Sequence, residues 1–330
     1  MTTFYLDGQA FEAKAGESVL DTLIRHGQRV NYSCKKGVCK TCLLQHVDGE
    51  MAIGAQRGLT LGLKQRHYLC SCQCKPTPAL RLKSILPQDL FVGAKIQEKQ
   101  FINEAVVRVR LALDEPLQHH PGQYINLRRF DGLTRSYSPT SLPDEPFLEL
   151  HVRRKYNGQF SDWLYHHAGI GEKLLVQGPL GSRYYRSAYR DAKLIIVAFG
   201  SGLGVAHAML MQALAQGHQG EIFLYVGARD DNDLYLHPKL LKMMLEHRQF
   251  HYQACITGQS ESKGRRVIHA NPFSEALKCH QFDRQQHLFL CGEPGLVNES
   301  REIAFLNGFP IERIHSLSFE YKDLRKRPRG

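Results

Sequence analysis

The chain is 330 residues long, 42% hydrophobic, 23% charged and 9% aromatic, with 43 Lys and Arg against 32 Asp and Glu for a net charge of +11. This composition excludes collagen-like, low-complexity and wholly disordered chains, and the length predicts two or three domains, each with its own core. The excess positive charge lies at the two ends: residues 1–85 carry 12 basic and 6 acidic side chains, and the tail 322–330 (KDLRKRPRG) carries five and one.

The start alternates as a hairpin should, with Phe4 to Leu6, an Asp7-Gly8 turn, then Phe11 to Ala13. It lacks the basic region and apolar run of a secretory signal, so the chain reads as soluble and cytoplasmic. Ser18, followed by Val19, Leu20, Leu23 and Ile24 and closed by Gly27, predicts a capped helix. Nine cysteines follow, at 34, 39, 42, 70, 72, 74, 255, 279 and 291, and six of them fall between 34 and 74. An odd count without a signal argues against a disulfide framework and for metal binding. The first three are spaced C-x4-C-x2-C, and Cys70, Cys72 and Cys74 alternate, so that in a strand all three would share a face. Two metal chemistries are open at this point: a four-cysteine zinc site and an iron–sulfur cluster. Pro76, Pro78 and Pro87 then break the periodicity, predicting a last strand at 79–82 and a linker over 86–95.

From residue 96, short β-like runs recur at 105–113, 124–127, 147–153 and 173–177 between turn residues, as in an antiparallel barrel. Three local motifs stand out: Arg135-Ser136-Tyr137-Ser138, Gly158-Gln159-Phe160-Ser161 opening a helix, and Gly178-Pro179-Leu180-Gly181. Taken alone, the first is also the pattern of a plain strand and the second that of a helix cap. The last third alternates strand and helix. An apolar run at 193–198, the loop Gly200-Ser201-Gly202-Leu203-Gly204 and a helix at 205–215 read as a buried strand and core helix rather than a membrane span. Strands at 222–226 and 287–290 lead into Gly227-Ala228-Arg229 and Cys291-Gly292-Glu293-Pro294. This order predicts a doubly wound parallel sheet with ligands at the strand C-termini.

The cysteine segment resembles a plant-type [2Fe–2S] ferredoxin, and the order of the later motifs resembles the ferredoxin–NADP reductase superfamily. The first resemblance implies Cys34, Cys39, Cys42 and Cys72 as cluster ligands, with Cys70 and Cys74 as buried bystanders. The second implies an FAD barrel. There Arg135 faces the pyrophosphate, and Tyr137 and Ser138 lie beside the isoalloxazine. Val152 and Arg153 line the cofactor, and Gly158, Gln159, Phe160 and Ser161 offer helix N–H groups to the diphosphate. It also implies a pyridine-nucleotide domain, with Gly200, Ser201, Gly202, Leu203, Gly292, Glu293 and Pro294 around the nucleotide. Cys291 would lie beside the nicotinamide and Phe319 would cover the flavin. Arg229 would stand near the ribose, and the acidic residues Asp230, Asp231 and Asp233 after it favour NADH over NADPH.

The whole chain then divides into an α+β ferredoxin-like domain (1–85), a linker (86–95), an antiparallel β-barrel FAD domain (96–189), an α/β parallel-sheet NAD domain (190–321) and a basic tail. Its order is similar to reductase components of bacterial oxygenases and to the reductase of deoxysugar dehydration. That implies an NAD(P)H-dependent oxidoreductase passing electrons through FAD and a [2Fe–2S] cluster to a separate protein. The basic ferredoxin segment implies an acceptor acidic at its docking face, with neither membrane insertion nor nucleic acid required. The alternatives are a diaphorase reducing free flavin, ferric chelate or quinone, and a redox sensor or nucleic-acid module using the tail.

Overall fold

The computed structural model describes residues 2–59, 63–64, 66–86, 90–258, 264, 266–281 and 284–319; the basic tail lies outside them. These fall into two compact units, 2–92 and 93–319.

In the first unit, β1 (Thr2–Leu6) and β2 (Gln9–Ala13) form the expected hairpin. Asp7 and Gly8 both take positive φ, which matches the right-handed strand twist. Helix α1 (Val19–Arg25) starts at Ser18, whose hydroxyl accepts the Asp21 N–H at 3.1 Å. Strands β3 (Leu43–Asp48), β4 (Tyr68–Cys70) and β5 (Arg81–Lys83) complete a five-stranded sheet in the order β2-β1-β5-β3-β4. Phe4, Leu6, Phe11 and Ala13 from the hairpin meet Val19 and Leu23 from α1 in one core.

Two expectations need correction here. The alternating cysteines do not share a strand: β4 ends at Cys70, and the backbone turns because the Gln73 and Cys74 N–H groups both bond Cys70 O. Cys70 and Cys74 are thereby buried while Cys72 is half-exposed. The segment read as a linker is strand from Val92 onward.

The second unit begins with that strand, β6 (Val92–Phe101), followed by β7 (Val106–Leu113), β8 (Tyr124–Arg128), β9 (Thr134–Tyr137), β10 (Leu148–Arg153), helix α2 (Ser161–His166) and β11 (Lys173–Leu180). The barrel-like sheet runs β10-β7-β6-β11-β8-β9 with antiparallel registers. Its inner positions, among them Ile96, Val109, Ile125, Leu150 and Val176, form a closed apolar core.

The rest is a parallel sheet wrapped by helices: β12 (Leu194–Phe199), α3 (Gly202–Ala215), β13 (Ile222–Ala228), α4 (His237–Glu246), β14 (Phe250–Ile256), β15 (Val267–His269), α5 (Pro272–Cys279), β16 (His287–Gly292), α6 (Pro294–Leu306) and β17 (Ile314–Ser318). The strand order is β15-β14-β13-β12-β16-β17, every pairing parallel. Along β12 the side chains alternate between two cores. Leu194, Ile196 and Ala198 meet α3 and α4, and Ile195, Val197 and Phe199 meet α5 and α6. The order reverses between β13 and β16 on either side of β12, which puts the ligand crevice of such a sheet at the ends of β12 and β16. Among the described residues no helix is long and apolar enough to cross a membrane.

Where the barrel meets the parallel sheet, a charged network replaces apolar packing. His151 on β10 contacts Tyr235 OH at 3.2 Å through Nδ1 and Glu149 at 3.2 Å through Nε2. Glu149 also accepts from Arg110 at 2.9 Å. Burial pushes the Glu149 carboxyl up, but the hydrogen bonds and charges of His151 and Arg110 outweigh it and hold the group at about 2. Because this folded-state value is depressed, the stabilisation is complete above the ordinary value of 4.5 and is lost as pH falls toward about 2. The shift corresponds to about 3 kcal/mol. Glu149→Gln should therefore lower the melting temperature at pH 7 and flatten its decline below pH 5; an acid limb as steep as in the parent protein would refute this account.

Candidate functional site

The loop between α1 and β3 carries three of the clustered cysteines, and its shape depends on left-handed residues at Lys35, Gly37 and Lys40. This coiling turns backbone N–H groups onto sulfur: Lys36 N and Cys39 N donate to Cys34 Sγ, each at 3.3 Å, and Cys34 N donates to Cys39 Sγ at 3.4 Å. Thr41 Oγ1 lies 3.2 Å from Cys39 Sγ. Gly37 is required at its position, since a Cβ there would lie 2.6 Å from the side chain of Gln73. That close approach brings Cys72 to the loop, and the Gly37 N–H faces its sulfur.

The thiols meet as a Cys34–Cys39 pair and a group in which Cys42 contacts both Cys72 and Cys70. The Cys39 thiol's hydrogen bond, opposed by burial and helped by the amides of Cys39, Lys36 and Val38, pulls Cys34 down to about 5. Cys39 is pushed up by the same contact with Cys34. In the second group, Cys72 is pushed up by its contact with Cys42. Contact with Cys70 pushes Cys42 up to about 11. Among the described residues no group of three or more His, Cys, Asp or Glu surrounds a single ion position. Cys34, Cys39, Cys42 and Cys72, with amides aimed at their sulfurs, fit a centre of two irons held by two cysteines each. Metal binding would displace the protons these thiols share.

In the second unit the first two barrel motifs converge. Tyr137, at the end of β9, packs its ring 5.7 Å from that of Phe160, which in turn meets Trp163 at 5.6 Å. Ser138 follows, half-buried, and Arg135 holds the Thr134 carbonyl at 2.8 Å. Burial pushes the Tyr137 phenol up, so it stays neutral. Gly158 allows the tight turn into α2, where a Cβ would meet Lys155 O at 2.8 Å. The Ser161 hydroxyl accepts the Lys155 N–H at 3.1 Å. The side chains of Phe160 and Val152 lie in the barrel core, so only their backbones can face a cofactor. Sequence reasoning missed Arg129, which donates to Gln159 O at 3.1 Å and sits 4.8 Å over the Trp163 ring. The Arg128-Arg129 pair at the end of β8 was the only signal for it.

At the switch point β12 and β16 touch through glycine. A Cβ on Gly202 would lie 2.3 Å from Cys291 O, and one on Gly292, at φ +130°, 2.3 Å from Phe199 O. Ser201 caps α3 without a side-chain bond, and in the first turn Leu203 N–H bonds Gly200 O at 3.1 Å and Gly204 N–H bonds Ser201 O at 3.3 Å. Glu293 is committed as the α6 cap, accepting from Leu296 N at 2.8 Å, and Pro294 occupies the first turn. The Phe319 N–H donates to Gly292 O at 2.8 Å at the edge of this crevice, and its side chain packs against the core of the parallel sheet. Gly204 packs against the barrel; a Cβ there would lie 2.7 Å from His151 Nδ1 and 2.8 Å from Thr140.

Three expected site residues are placed differently. Cys291 is the last residue but one of β16, and its side chain is fully buried in the core beneath α3, where burial pushes the thiol up to about 12. It does not touch the crevice as a reactive group. Arg153 pairs through both guanidinium nitrogens with Asp233, each at 3.2 Å, beside the Gly200 loop. Asp230 is also committed, capping the turn 231–233. Two of the three carboxylates read as favouring NADH therefore hold structure, while Arg229, at the end of β13, is exposed.

Three family models match the chain: the 2Fe-2S iron-sulfur cluster binding domain over residues 4–77, the oxidoreductase FAD-binding domain over 93–185 and the oxidoreductase NAD-binding domain over 196–302. The chain is 27% identical to the naphthalene 1,2-dioxygenase system ferredoxin–NAD(P)+ reductase component of Pseudomonas putida, over 92% of this chain and 94% of that one. It is also 27% identical to protein RfbI of Salmonella typhimurium, over 94% and 93%. The crystal structure of the Amycolatopsis cytochrome P450 reductase GcoB superposes with a TM-score of 0.69 at 26% identity, covering 97% of this chain and 99% of that one. With a [2Fe–2S] domain ahead of FAD- and NAD-binding domains, the chain belongs to the ferredoxin–NADP reductase superfamily as an oxidoreductase with an N-terminal plant-type ferredoxin domain.

Proposed function

We propose that this protein takes a hydride from NAD(P)H and delivers the electrons singly to a separate protein, an oxygenase or a deoxysugar dehydrase being the type of acceptor. The observation that carries the reading is the cysteine loop with its N–H and O–H donors aimed at sulfur, in the same chain as a flavin barrel and a switch-point crevice. When bound, FAD supplies the conversion of a two-electron hydride into single electrons, which a [2Fe–2S] centre carries one at a time.

The chain's own residues have defined parts in this reading. Cys34 with Cys39, and Cys42 with Cys72, hold one iron each. Tyr137, Ser138 and Arg135 line the flavin, and the backbone of residues 158–161 faces its diphosphate. The Gly200 to Leu203 loop, through the Ser201 and Gly202 N–H groups, receives the nucleotide phosphates, Gly292 to Pro294 bound the nicotinamide pocket, and Phe319 covers it. The cluster domain lies within 1–85. The flavin domain starts at β6 and ends near 189, and the nucleotide domain runs to 321. Arg229, exposed and ion-paired with Asp230 at 3.9 Å, is a cation for a 2′-phosphate, and NADH is the expected donor with NADPH the alternative.

Lys36 and Arg57 are exposed near Val38, which is 58% exposed, around the cluster loop. This supports an acceptor with an acidic docking face and turnover that falls with added salt. A cytoplasmic location suits both the coenzyme and the reduced thiols.

An anaerobic NADH titration followed by visible absorption tests the reading. Bleaching of the flavin and iron–sulfur bands together is the expected result. Bound chromophores that neither NADH nor NADPH bleaches would sink it.

A further inference from the structure

Lys40 lies inside the cluster loop, between Cys39 and Cys42, with a left-handed backbone at φ +57°. An L-residue is strained there, and glycine would not be. The residue is also 5% exposed, where lysine is almost never found without partners. Its Nζ reaches Gly37 O in the cluster loop, Arg57 O at 3.1 Å and Cys70 Sγ at 3.8 Å. Cys70 in turn contacts Cys42. The neighbouring lysines behave differently: Lys35 pairs with Asp21 at 3.1 Å, and Lys36 is exposed.

A strained backbone, a buried ammonium and acceptors drawn from three segments converge on one feature beside the cysteine set. We propose that Lys40 is a positioning residue that sets the reduction potential of the cluster by holding a fixed cation at Cys70, against the ligand Cys42. The inference rests on the ligand assignment above. Reduction brings one electron, supplied by NAD(P)H through the flavin, onto a four-thiolate centre that already bears net negative charge. A nearby unit charge screened by protein rather than by water favours the more negative state. Lys40 also ties the loop to residue 57, which keeps that charge from relaxing into solvent.

The test is a spectroelectrochemical titration of the full chain carrying both cofactors, comparing Lys40→Gly and Lys40→Gln with the parent. Lys40→Gly suits the left-handed backbone, and Lys40→Gln keeps a long side chain and an N–H donor without charge. At the parent midpoint, the ratio of reduced to oxidised cluster should fall at least about tenfold in both, equivalent to a shift of about 59 mV for one electron. Water entering the vacated space would move the potential upward, so a downward shift reads the charge. Iron content and the visible bands should stay at parent levels. An unchanged or raised potential with iron retained overturns the proposal and leaves the ligand assignment standing. Iron loss in both variants also overturns it, making Lys40 a strut for the loop.

Discussion

Replacing Cys72 with serine is expected to empty the cluster while leaving the flavin in place. In the proposed ligand set, Cys72 is the one member from outside the 34–42 loop. It is held there by Gln73, whose side chain packs on Gly37 and whose Nε2 bonds Lys35 O at 3.4 Å. A serine hydroxyl remains protonated at neutral pH and is a poor substitute for thiolate on iron. Iron bound per chain should fall to near zero. Electron transfer to a one-electron protein acceptor should fall at least about a hundredfold, beyond the loss typical of weakening a supporting shell. Reduction of ferricyanide, which the flavin unit can perform alone, should persist. The controls are Cys70→Ser and Cys74→Ser. Both side chains are buried, and Cys70 is close enough to Cys42 to contact it, so these are demanding controls. Retention of iron by both separates ligand from neighbour. Iron loss in Cys70→Ser, with Cys72→Ser intact, would reverse the assignment.

A second large effect is expected at the switch point. Gly292→Ala places a methyl 2.3 Å from Phe199 O on a backbone at φ +130° that L-residues rarely adopt. Neither strand can yield easily. β12 is bonded to β13 on one side and β16 on the other, and β16 also carries β17. Overpacking combined with backbone strain should cost about 2–4 kcal/mol. The melting temperature should drop by roughly 5–10 °C. KM for NADH should rise more than kcat falls, because the crevice is distorted before any chemistry begins. Gly200→Ala is the comparison: its φ is also positive, at +56°, but its nearest neighbour is Arg153 at 3.9 Å. It should lose only the backbone share of that stability. Equal losses in the two variants would show that the close approach of β12 and β16 does not matter.

The chemistry was legible in the sequence wherever it is local. The spacing of Cys34, Cys39 and Cys42 survives folding because a short loop must wrap its ligands. The Asp7-Gly8 turn and the Ser18 cap are decided by their own backbones. What was not legible depends on partners distant in sequence. The strand reading of residues 70–74 failed because the Gln73 and Cys74 N–H groups fold back onto Cys70 O, at 2.9 and 3.1 Å, just after Ser71 bonds Cys42 O. β6 was obscured because a register shift between Ile96 and Glu98 breaks its alternation. Asp233 reads as a ribose-facing carboxylate until Arg153, 80 residues away, is seen to claim it. Cys291 reads as reactive until its side chain is found on the core face of β16.

The bond from Phe319 N–H to Gly292 O has a practical consequence. It makes a single amide proton a built-in gauge of the nucleotide crevice. That proton can exchange with solvent only when the end of β17 lifts from the end of β16, the same movement that would lift the Phe319 ring from the parallel-sheet core. Its deuterium uptake therefore counts openings directly, in the resting protein and without a chromophore, and a ligand that seals the crevice should slow it while leaving the amides of the barrel core unchanged.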